Sequence, residues 1–135
     1  MFVNYLFIIV RYTVCMNKIL IIEDSVSFRH LLVQLFHANG YDTVDCDNGK
    51  SGLQEMLVGT YRAIILDLNV PVIDGIQVLT QYYAQKKKIE RNPVVVLSGQ
   101  PKQVLKDISL KKGASAFIEK DKLDFHYLLE LVGQF

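Results

Sequence analysis

The chain has 135 residues, about the length of one domain, and half of its residues are apolar. With 21% charged residues, 8 glycines and 3 prolines, the composition excludes disordered, collagen-like and low-complexity proteins. The formal charge of +1 gives no electrostatic basis for direct binding to nucleic acid or to an anionic membrane surface. Cys15 and Cys46 have neither metal-ligand spacing nor the density of a disulfide scaffold, which predicts a reducing, cytoplasmic environment.

Residues 1–15 form an apolar extension ahead of Met16. No basic residue precedes its apolar run and no signal-peptide cleavage site follows it, and the run is shorter than the roughly 18 to 20 apolar residues that span a bilayer. Two interpretations stay open. The extension is either an artefact of an upstream start codon, with translation beginning at Met16, or a strand or membrane-touching tail. We therefore place the folded domain at residues 16–135 and predict no membrane span.

From Lys18 onward, short aliphatic runs alternate with longer helical patterns, which is typical of βαβ units and a parallel sheet. The predicted strands are residues 18–22, 41–46, 63–66, 94–97 and 116–118, and the predicted helices are residues 26–39, 50–58, 76–86, a segment within 101–112, and 123–132. Alternating polarity in the second run indicates a half-exposed edge strand. We predict an α/β fold in which a five-stranded, doubly wound parallel sheet is flanked by five helices.

Ligands of such sheets bind beyond the carboxyl ends of the strands. The residues directly after the predicted strands include Glu23, Asp24, Asp67, Ser98 and Lys120. Three carboxylates that converge repel one another and favour a bound cation. A small set of oxygen ligands with open positions suits Mg²⁺, and the backbone carbonyl of Asn69 is available as a further ligand.

The hydroxyl of Ser98 and the ammonium group of Lys120 can both contact a tetrahedral oxyanion, which indicates phosphoryl chemistry. A carboxylate can attack phosphorus to form an acyl phosphate while cations neutralise the phosphoryl oxygens. We assign Asp67 as the nucleophile because it ends the central predicted strand between two leucines. Glu23 and Asp24 are then left to hold the metal.

Four motifs in this order resemble the receiver domain of bacterial two-component response regulators, in particular the stand-alone, chemotaxis-regulator-like kind. The motifs are KILIIEDS at residues 18–25, IILDL at 64–68 with Pro71 and Asp74-Gly75, VVLSG at 95–99, and Gly113-Ala114 with FIEK at 117–120. The resemblance covers the chain from Lys18 to its last residue. It implies a flavodoxin-like fold with strand order 2-1-3-4-5.

The resemblance also implies a role for each matched residue. Asp67 is the aspartate that accepts a phosphoryl group from a histidine kinase or a histidine phosphotransfer protein, and Glu23 and Asp24 bind Mg²⁺. Ser98 is the switch hydroxyl and Lys120 the lysine that contacts the phosphoryl group. Phe117 is either the aromatic rotamer switch or a plain packing residue. The output face comprises the fourth helix, the fifth strand and the fifth helix.

The chain departs from the family pattern at a few positions. Asp121 follows the lysine where the family often has proline, so we expect a different shape for the loop ahead of the fifth helix. Val70 replaces a frequent methionine, which we interpret as a tolerated apolar exchange. Asn69 and Gln100 occupy variable positions that influence hydrolysis of the acyl phosphate in this family, and they leave its lifetime open.

These observations predict a phosphoacceptor signalling protein that catalyses only its own phosphorylation and dephosphorylation. Since no output domain follows Phe135, we expect it to act by binding a separate protein target. A haloacid-dehalogenase-like phosphohydrolase is disfavoured because Asn69 stands where its second aspartate is needed, and a flavin binder because Glu23 and Asp24 would repel the flavin phosphate. A receiver-like binding module that is never phosphorylated remains an alternative.

Residues 86–88 are three consecutive lysines near the end of the third predicted helix. We interpret them as a solvated helix end whose charges complement the helix dipole, with a docking patch as the alternative.

Overall fold

A computed structural model describes residues 5–6, 17–100 and 102–135. Apart from Tyr5 and Leu6, which are exposed, the predicted N-terminal extension lies outside the described residues. Within the described parts of the chain, no helix is long and apolar enough to cross a membrane.

Residues 17–100 and 102–135 form one parallel sheet with helices on both faces. The strands are β1 (Lys18–Ile22), β2 (Asp42–Cys46), β3 (Ala63–Asp67), β4 (Val94–Ser98) and β5 (Ala116–Glu119). The helices are α1 (Val26–Ala38), α2 (Gly49–Val58), α3 (Gly75–Gln85), α4 (Gln103–Lys112) and α5 (Phe125–Gly133), with 3₁₀ turns at Lys88–Glu90 and Lys120–Lys122. The strand order β2-β1-β3-β4-β5 confirms the predicted flavodoxin-like topology, with β2 at an edge.

Apart from one polar residue at an end of each, Lys18, Asp67 and Ser98, the three central strands are aliphatic because both of their faces are covered. On one face their side chains pack against α2 and α3, chiefly Leu53, Met56 and Val78. On the other face they pack against α1 and α5, chiefly Leu32, Phe36 and Leu128. The core therefore lies in two layers that hold the sheet rigid between them.

Helix boundaries differ from the sequence prediction by one or two residues, and capping side chains explain the differences. Asn48 caps α2 and Asp74 caps α3, so each helix begins one residue earlier than predicted. Asp124 accepts hydrogen bonds from the backbone N–H groups of His126 and Tyr127, so α5 begins at Phe125 rather than at residue 123.

The end of α1 and the segment at Lys120 also differ from the sequence pattern or complete it. At the end of α1, Asn39 is the C-cap and Gly40 has a φ of 84°, in the left-handed region, so the helix ends one residue before its predicted end. The segment after Lys120 forms a 3₁₀ turn, and no cis peptide bond occurs among the described residues.

Candidate functional site

Three carboxylates converge at the carboxyl end of the sheet. Glu23 and Asp24 follow β1, Asp67 ends β3, and these two strands are hydrogen-bonded neighbours with Ile22 opposite Leu66. One oxygen atom from each carboxylate lies within 4.8 Å of the others. Glu23 is only 1% exposed and Asp67 4%, whereas Asp24 is exposed. The predicted cluster of acidic groups is therefore present, with an opening to solvent on the Asp24 side.

Lys120 brings a positive charge to this cluster from the end of β5. Its Nζ donates to Oε2 of Glu23 at 2.6 Å and to Oδ2 of Asp67 at 3.1 Å. The same ammonium group lies 4.7 Å from the centroid of the Phe28 ring, close enough for a cation–π contact. One lysine thus offsets part of the charge of three carboxylates, and the remaining negative charge favours a cation.

The environment of the cluster changes the proton affinity of two groups. Burial raises the pKa of Glu23, although hydrogen bonds from Lys120 and from the backbone N–H of Ser25 act in the opposite direction. Burial alone would lower the pKa of Lys120, but its hydrogen bond to Glu23 and the charge of Asp67 outweigh burial, so the pKa of Lys120 is raised. Lys120 is therefore a cation throughout the neutral pH range.

Ser98 ends β4 beside the acidic cluster, as predicted, and is buried. Its hydroxyl donates to the carbonyl oxygen of Gln100 at 3.1 Å and accepts from the backbone N–H of Gln100 at 3.2 Å. Both hydrogen bonds are made within the loop after β4. In this state the hydroxyl is held by its own loop.

The two remaining residues of the prediction lie at different depths. The backbone N–H of Asn69 donates to Oδ1 of Asp67 at 3.1 Å, so the Asn69 peptide adjoins the acidic cluster while its side chain is exposed. Phe117 is partly buried on the face of the sheet that carries α3 and packs against the core there. The structure therefore places Phe117 in a packing position, close in space to Leu105 and the other residues of that core cluster.

A cleft of about 480 Å³ opens above Asp67, Ser98 and Lys120. Its walls are the start of α3, with Ile76 and Gln77, and the loop that follows β4. The opening is large enough for a small anion together with a metal ion, and the Asp67 carboxylate, the Ser98 hydroxyl and the Lys120 ammonium group all border it.

The loop between β3 and α3 is fixed by close backbone contacts. A Cβ atom on Gly75 would lie 2.5 Å from the Cα of Leu68, and one on Gly49 would lie 1.9 Å from the carbonyl oxygen of Ile73. Both glycines thus allow a close approach that any larger residue would prevent. Val72 in the same loop has a φ of 73°, which is strained for a β-branched residue.

Arg29 is a residue of the site that the sequence analysis missed. Its Nη1 donates to the backbone carbonyl of Glu23 at 2.9 Å, and its Nε donates to Oδ2 of Asp45 at 2.9 Å. The side chain thereby ties the acidic loop after β1 to the edge strand β2. No sequence motif marks this role, because it depends on how α1 packs beside β2.

The comparison with protein families accounts for this geometry. The model of the response regulator receiver domain family matches residues 19–132. The chain belongs to this family. It is a receiver domain, a signalling domain homologous to those of two-component response regulators. Membership of this family excludes the phosphohydrolase and flavin-binding alternatives.

Individual relatives agree with this assignment of the receiver domain. The transcriptional regulatory protein CpxR homolog of Haemophilus influenzae is 28% identical over 105 residues, which are 78% of this chain and 44% of that protein. The chain thus spans less than half the length of this curated relative.

Solved receiver structures superpose closely on the chain. The receiver domain of the Francisella response regulator 1452 is 26% identical, with a TM-score of 0.79 over 87% of this chain and 94% of the other. One chain of a CheX–CheY–BeF₃–Mg²⁺ complex from Borrelia burgdorferi is 28% identical to this chain, with a TM-score of 0.76 over 87% of each chain. The receiver fold extends over nearly all of the described residues.

Proposed function

We propose that this receiver domain accepts a phosphoryl group on Asp67 from a phosphohistidine donor, either a histidine kinase or a histidine phosphotransfer protein. The observation that carries the proposal is the convergence of Glu23, Asp24 and Asp67 within 4.8 Å, with Lys120 hydrogen-bonded to two of them. A carboxylate oxygen of Asp67 attacks phosphorus, the P–N bond of the donor breaks, and its electron pair stays on the imidazole nitrogen.

The donor set fits Mg²⁺, since it consists of oxygen atoms and retains open positions toward the cleft. We assign the side chains of Glu23, Asp24 and Asp67 and the backbone carbonyl of Asn69 as its ligands. When bound, Mg²⁺ supplies positive charge that neutralises the phosphoryl oxygens. The Mg²⁺ and BeF₃ named for the Borrelia burgdorferi complex, in a chain 28% identical to this one, support this assignment.

Lys120 and Ser98 act on the phosphoryl group after transfer. The ammonium group of Lys120 already lies 3.1 Å from Oδ2 of Asp67, so it is placed to contact an oxygen of a phosphoryl group attached there. Ser98 must exchange its hydrogen bonds with Gln100 for one to the phosphoryl group. This exchange shifts the loop after β4 and, with Phe117, the output face formed by α4, β5 and α5.

The altered output face then binds a separate protein target in the cytoplasm, without direct contact of the domain with nucleic acid. Shifting the equilibrium from 1:99 to 99:1 requires the phosphoryl group to favour the active state by about 5.5 kcal/mol. Charge-assisted hydrogen bonds from Lys120 and Ser98, together with metal ligation, are of that order.

Intact-mass spectrometry after incubation with a small-molecule phosphodonor tests the proposal. We expect one phosphoryl group per chain, stable in acid and labile in base, only when Mg²⁺ is present and never in the Asp67→Asn variant. Absence of the adduct calls for a second measurement, the binding of beryllofluoride. If beryllofluoride also fails to bind in the presence of Mg²⁺, the chain is a phosphorylation-independent binding module and the proposal is wrong.

A further inference from the structure

A groove of about 570 Å³ runs between α3 and α4, away from β5 and α5. Mostly apolar atoms line it, from Ile76 of α3 and Ile108 of α4, and Lys111 and Lys112 form its rim. Val104, one helical turn before Ile108, is 65% exposed. With Val104 exposed and Ile108 half-buried, this side of α4 keeps aliphatic surface open to solvent.

The segment from the end of α3 to the end of α4 is strongly basic, and two of its lysines, Lys111 and Lys112, border the groove. Residues 86–112 contain eight basic and two acidic residues, a net charge of +6, whereas the rest of the chain contains seven basic and twelve acidic residues, a net charge of −5. The overall charge of +1 conceals this asymmetry. A local excess of this size attracts an acidic partner over several ångströms at physiological ionic strength.

The carboxyl ends of α3 and α4 are adjacent, and lysines occur at both ends. The hydroxyl of Tyr83 on α3 donates to the carbonyl of Gly113, directly after α4, at 2.8 Å. Lys87 and Lys88 follow α3, and Lys111 and Lys112 end α4, so the four ammonium groups lie at neighbouring helix ends. None of the four forms an ion pair with another residue of the described chain.

Helix dipoles account for only part of this charge. Each helix carboxyl end is equivalent to about half a negative charge, so two ends offset about one of the four positive charges. The lysines therefore carry more charge than the fold itself requires. Polyanions such as nucleic acid would use the charge but would leave the aliphatic floor of the groove exposed to water.

We propose that the groove between α3 and α4 binds an acidic, amphipathic segment of a partner protein. An aliphatic side chain of that segment packs between Ile76 and Ile108, and its carboxylates face the lysines at the rim. Ile76 also lines the cleft above Asp67, so the bound segment contacts a wall of the phosphoacceptor site. The surface shares α4 with the output face of the proposed function but lies on the side of α4 that faces α3, and binding does not require phosphorylation of Asp67.

Fluorescence anisotropy with synthetic peptides tests the inference on the full chain. One peptide carries leucines spaced three and four residues apart with glutamates between them, the second has serine in place of each leucine, and the third probe is a single-stranded oligonucleotide of equal charge. We expect the leucine peptide to bind at least tenfold more tightly than the serine peptide, and more tightly than the oligonucleotide.

Matched variants locate the binding site. Ile108→Ser and the double change Lys111→Ala with Lys112→Ala should each weaken binding of the leucine peptide at least tenfold. Ile89→Ser, at an isoleucine that is 94% exposed outside the groove, and Lys50→Ala with Lys122→Ala should change it less than twofold. Thermal unfolding of every variant verifies that it is folded.

Three results overturn the inference. Equal affinities for the leucine and serine peptides, or none measurable at millimolar concentration, exclude an apolar anchor. Tighter binding of the oligonucleotide that Ile108→Ser does not affect identifies the lysines as a nucleic-acid surface. Self-association in sedimentation velocity that Ile108→Ser abolishes identifies a second copy of the chain as the occupant. A chain that fails to be phosphorylated but binds the leucine peptide refutes only the function proposed for Asp67.

Discussion

At the scale of single residues, the site depends on side chains that take no part in the chemistry. Arg29 is the clearest case, since its guanidinium bridges the backbone of Glu23 and the carboxylate of Asp45 while only 17% of its side chain is exposed. Two hydrogen bonds in fixed directions orient the acidic loop in a way that a lysine cannot reproduce. Arg29 thus fixes the acidic loop through its backbone, from a position that does not line the cleft.

Replacing Arg29 should weaken metal binding without removing any ligand. We expect Arg29→Ala to raise the Kd for Mg²⁺ about tenfold, the lower end of the 10- to 100-fold effect of losing an outer-sphere contact, and Arg29→Lys to recover little of it. Isothermal titration calorimetry measures both. Arg91→Ala is the matched control, because Arg91 also makes two side-chain hydrogen bonds, in its case to the backbone carbonyls of Lys86 and Tyr83, but at the opposite end of the sheet. Equal Kd values for Arg29→Ala and Arg91→Ala would contradict this role.

The sequence predicted the residues of the site but not all of their contacts. Glu23, Asp24, Asp67, Ser98 and Lys120 were predictable because each lies at or just beyond the carboxyl end of a strand, and the carboxyl ends of a parallel sheet meet at one edge. The contacts of Phe28 and Arg29 were not predictable, since both residues fit the pattern of an ordinary amphipathic helix and their partners come from β5 and β2. Periodicity predicts which face of a helix is buried but not which atoms it meets.

At the scale of elements, aliphatic runs located the strands, and capping residues set where the helices begin. Two of the predicted helix starts were late because Asn48 and Asp74 cap the helix from the residue before it, a contact that apolar periodicity does not detect. The start of α3 matters most for function, because its first turn forms a wall of the cleft above Asp67.

Gly75 allows α3 to begin this close to Asp67. A Cβ atom there would lie 2.5 Å from the Cα of Leu68 and 2.8 Å from the carbonyl oxygen of Asp67, and both neighbours are backbone atoms that cannot rotate away. We therefore expect Gly75→Ala to cost about 1 to 3 kcal/mol of unfolding free energy and to slow phosphorylation of Asp67.

Urea denaturation and the phosphodonor assay measure the two effects of Gly75→Ala. Gly133→Ala is the control, since a Cβ atom at that helical glycine meets nothing nearer than the Tyr41 hydroxyl at 4.0 Å. If Gly75→Ala were as stable and as reactive as Gly133→Ala, the close approach of α3 to Asp67 would contribute neither to stability nor to phosphorylation.

At the scale of the whole molecule, repulsion among the carboxylates of the site lowers the free energy of unfolding. Glu23 and Asp67 are buried beside Asp24, and Lys120 offsets only one of the three negative charges. Like charges at this separation favour unfolding, and binding sites commonly retain such costs for the sake of function. The charge concentrated at this end of the sheet is therefore a cost to the metal-free fold.

Removing one of these carboxylates should stabilise the metal-free protein. We expect Asp67→Asn to raise the unfolding free energy by about 1 kcal/mol in a buffer with chelator, which corresponds to a Tm higher by a few degrees. Added Mg²⁺ should then raise the Tm of the unaltered chain more than that of the variant, because the variant has lost a ligand. Differential scanning calorimetry measures both shifts.

The control for this prediction is Asp42→Asn, which changes an exposed carboxylate at the opposite end of the sheet and should leave the Tm unchanged. A lower Tm for Asp67→Asn than for the unaltered chain in chelator would show that the contacts of Asp67 with Lys120 and Asn69 outweigh repulsion within the cluster.

The hydrogen bond between Lys120 and Glu23 joins residues 97 positions apart. Glu23 directly follows β1, the first strand to be synthesised, and Lys120 directly follows β5, the last. A chain still emerging from the ribosome, or one cut short before β5, has its carboxylates but lacks the ammonium group that accompanies them. Under the function proposed for Asp67, we expect such a chain to accept phosphoryl groups poorly, so incomplete chains would compete little with complete ones for the donor. A chain would then have to be complete through Lys120 before it takes part in signalling.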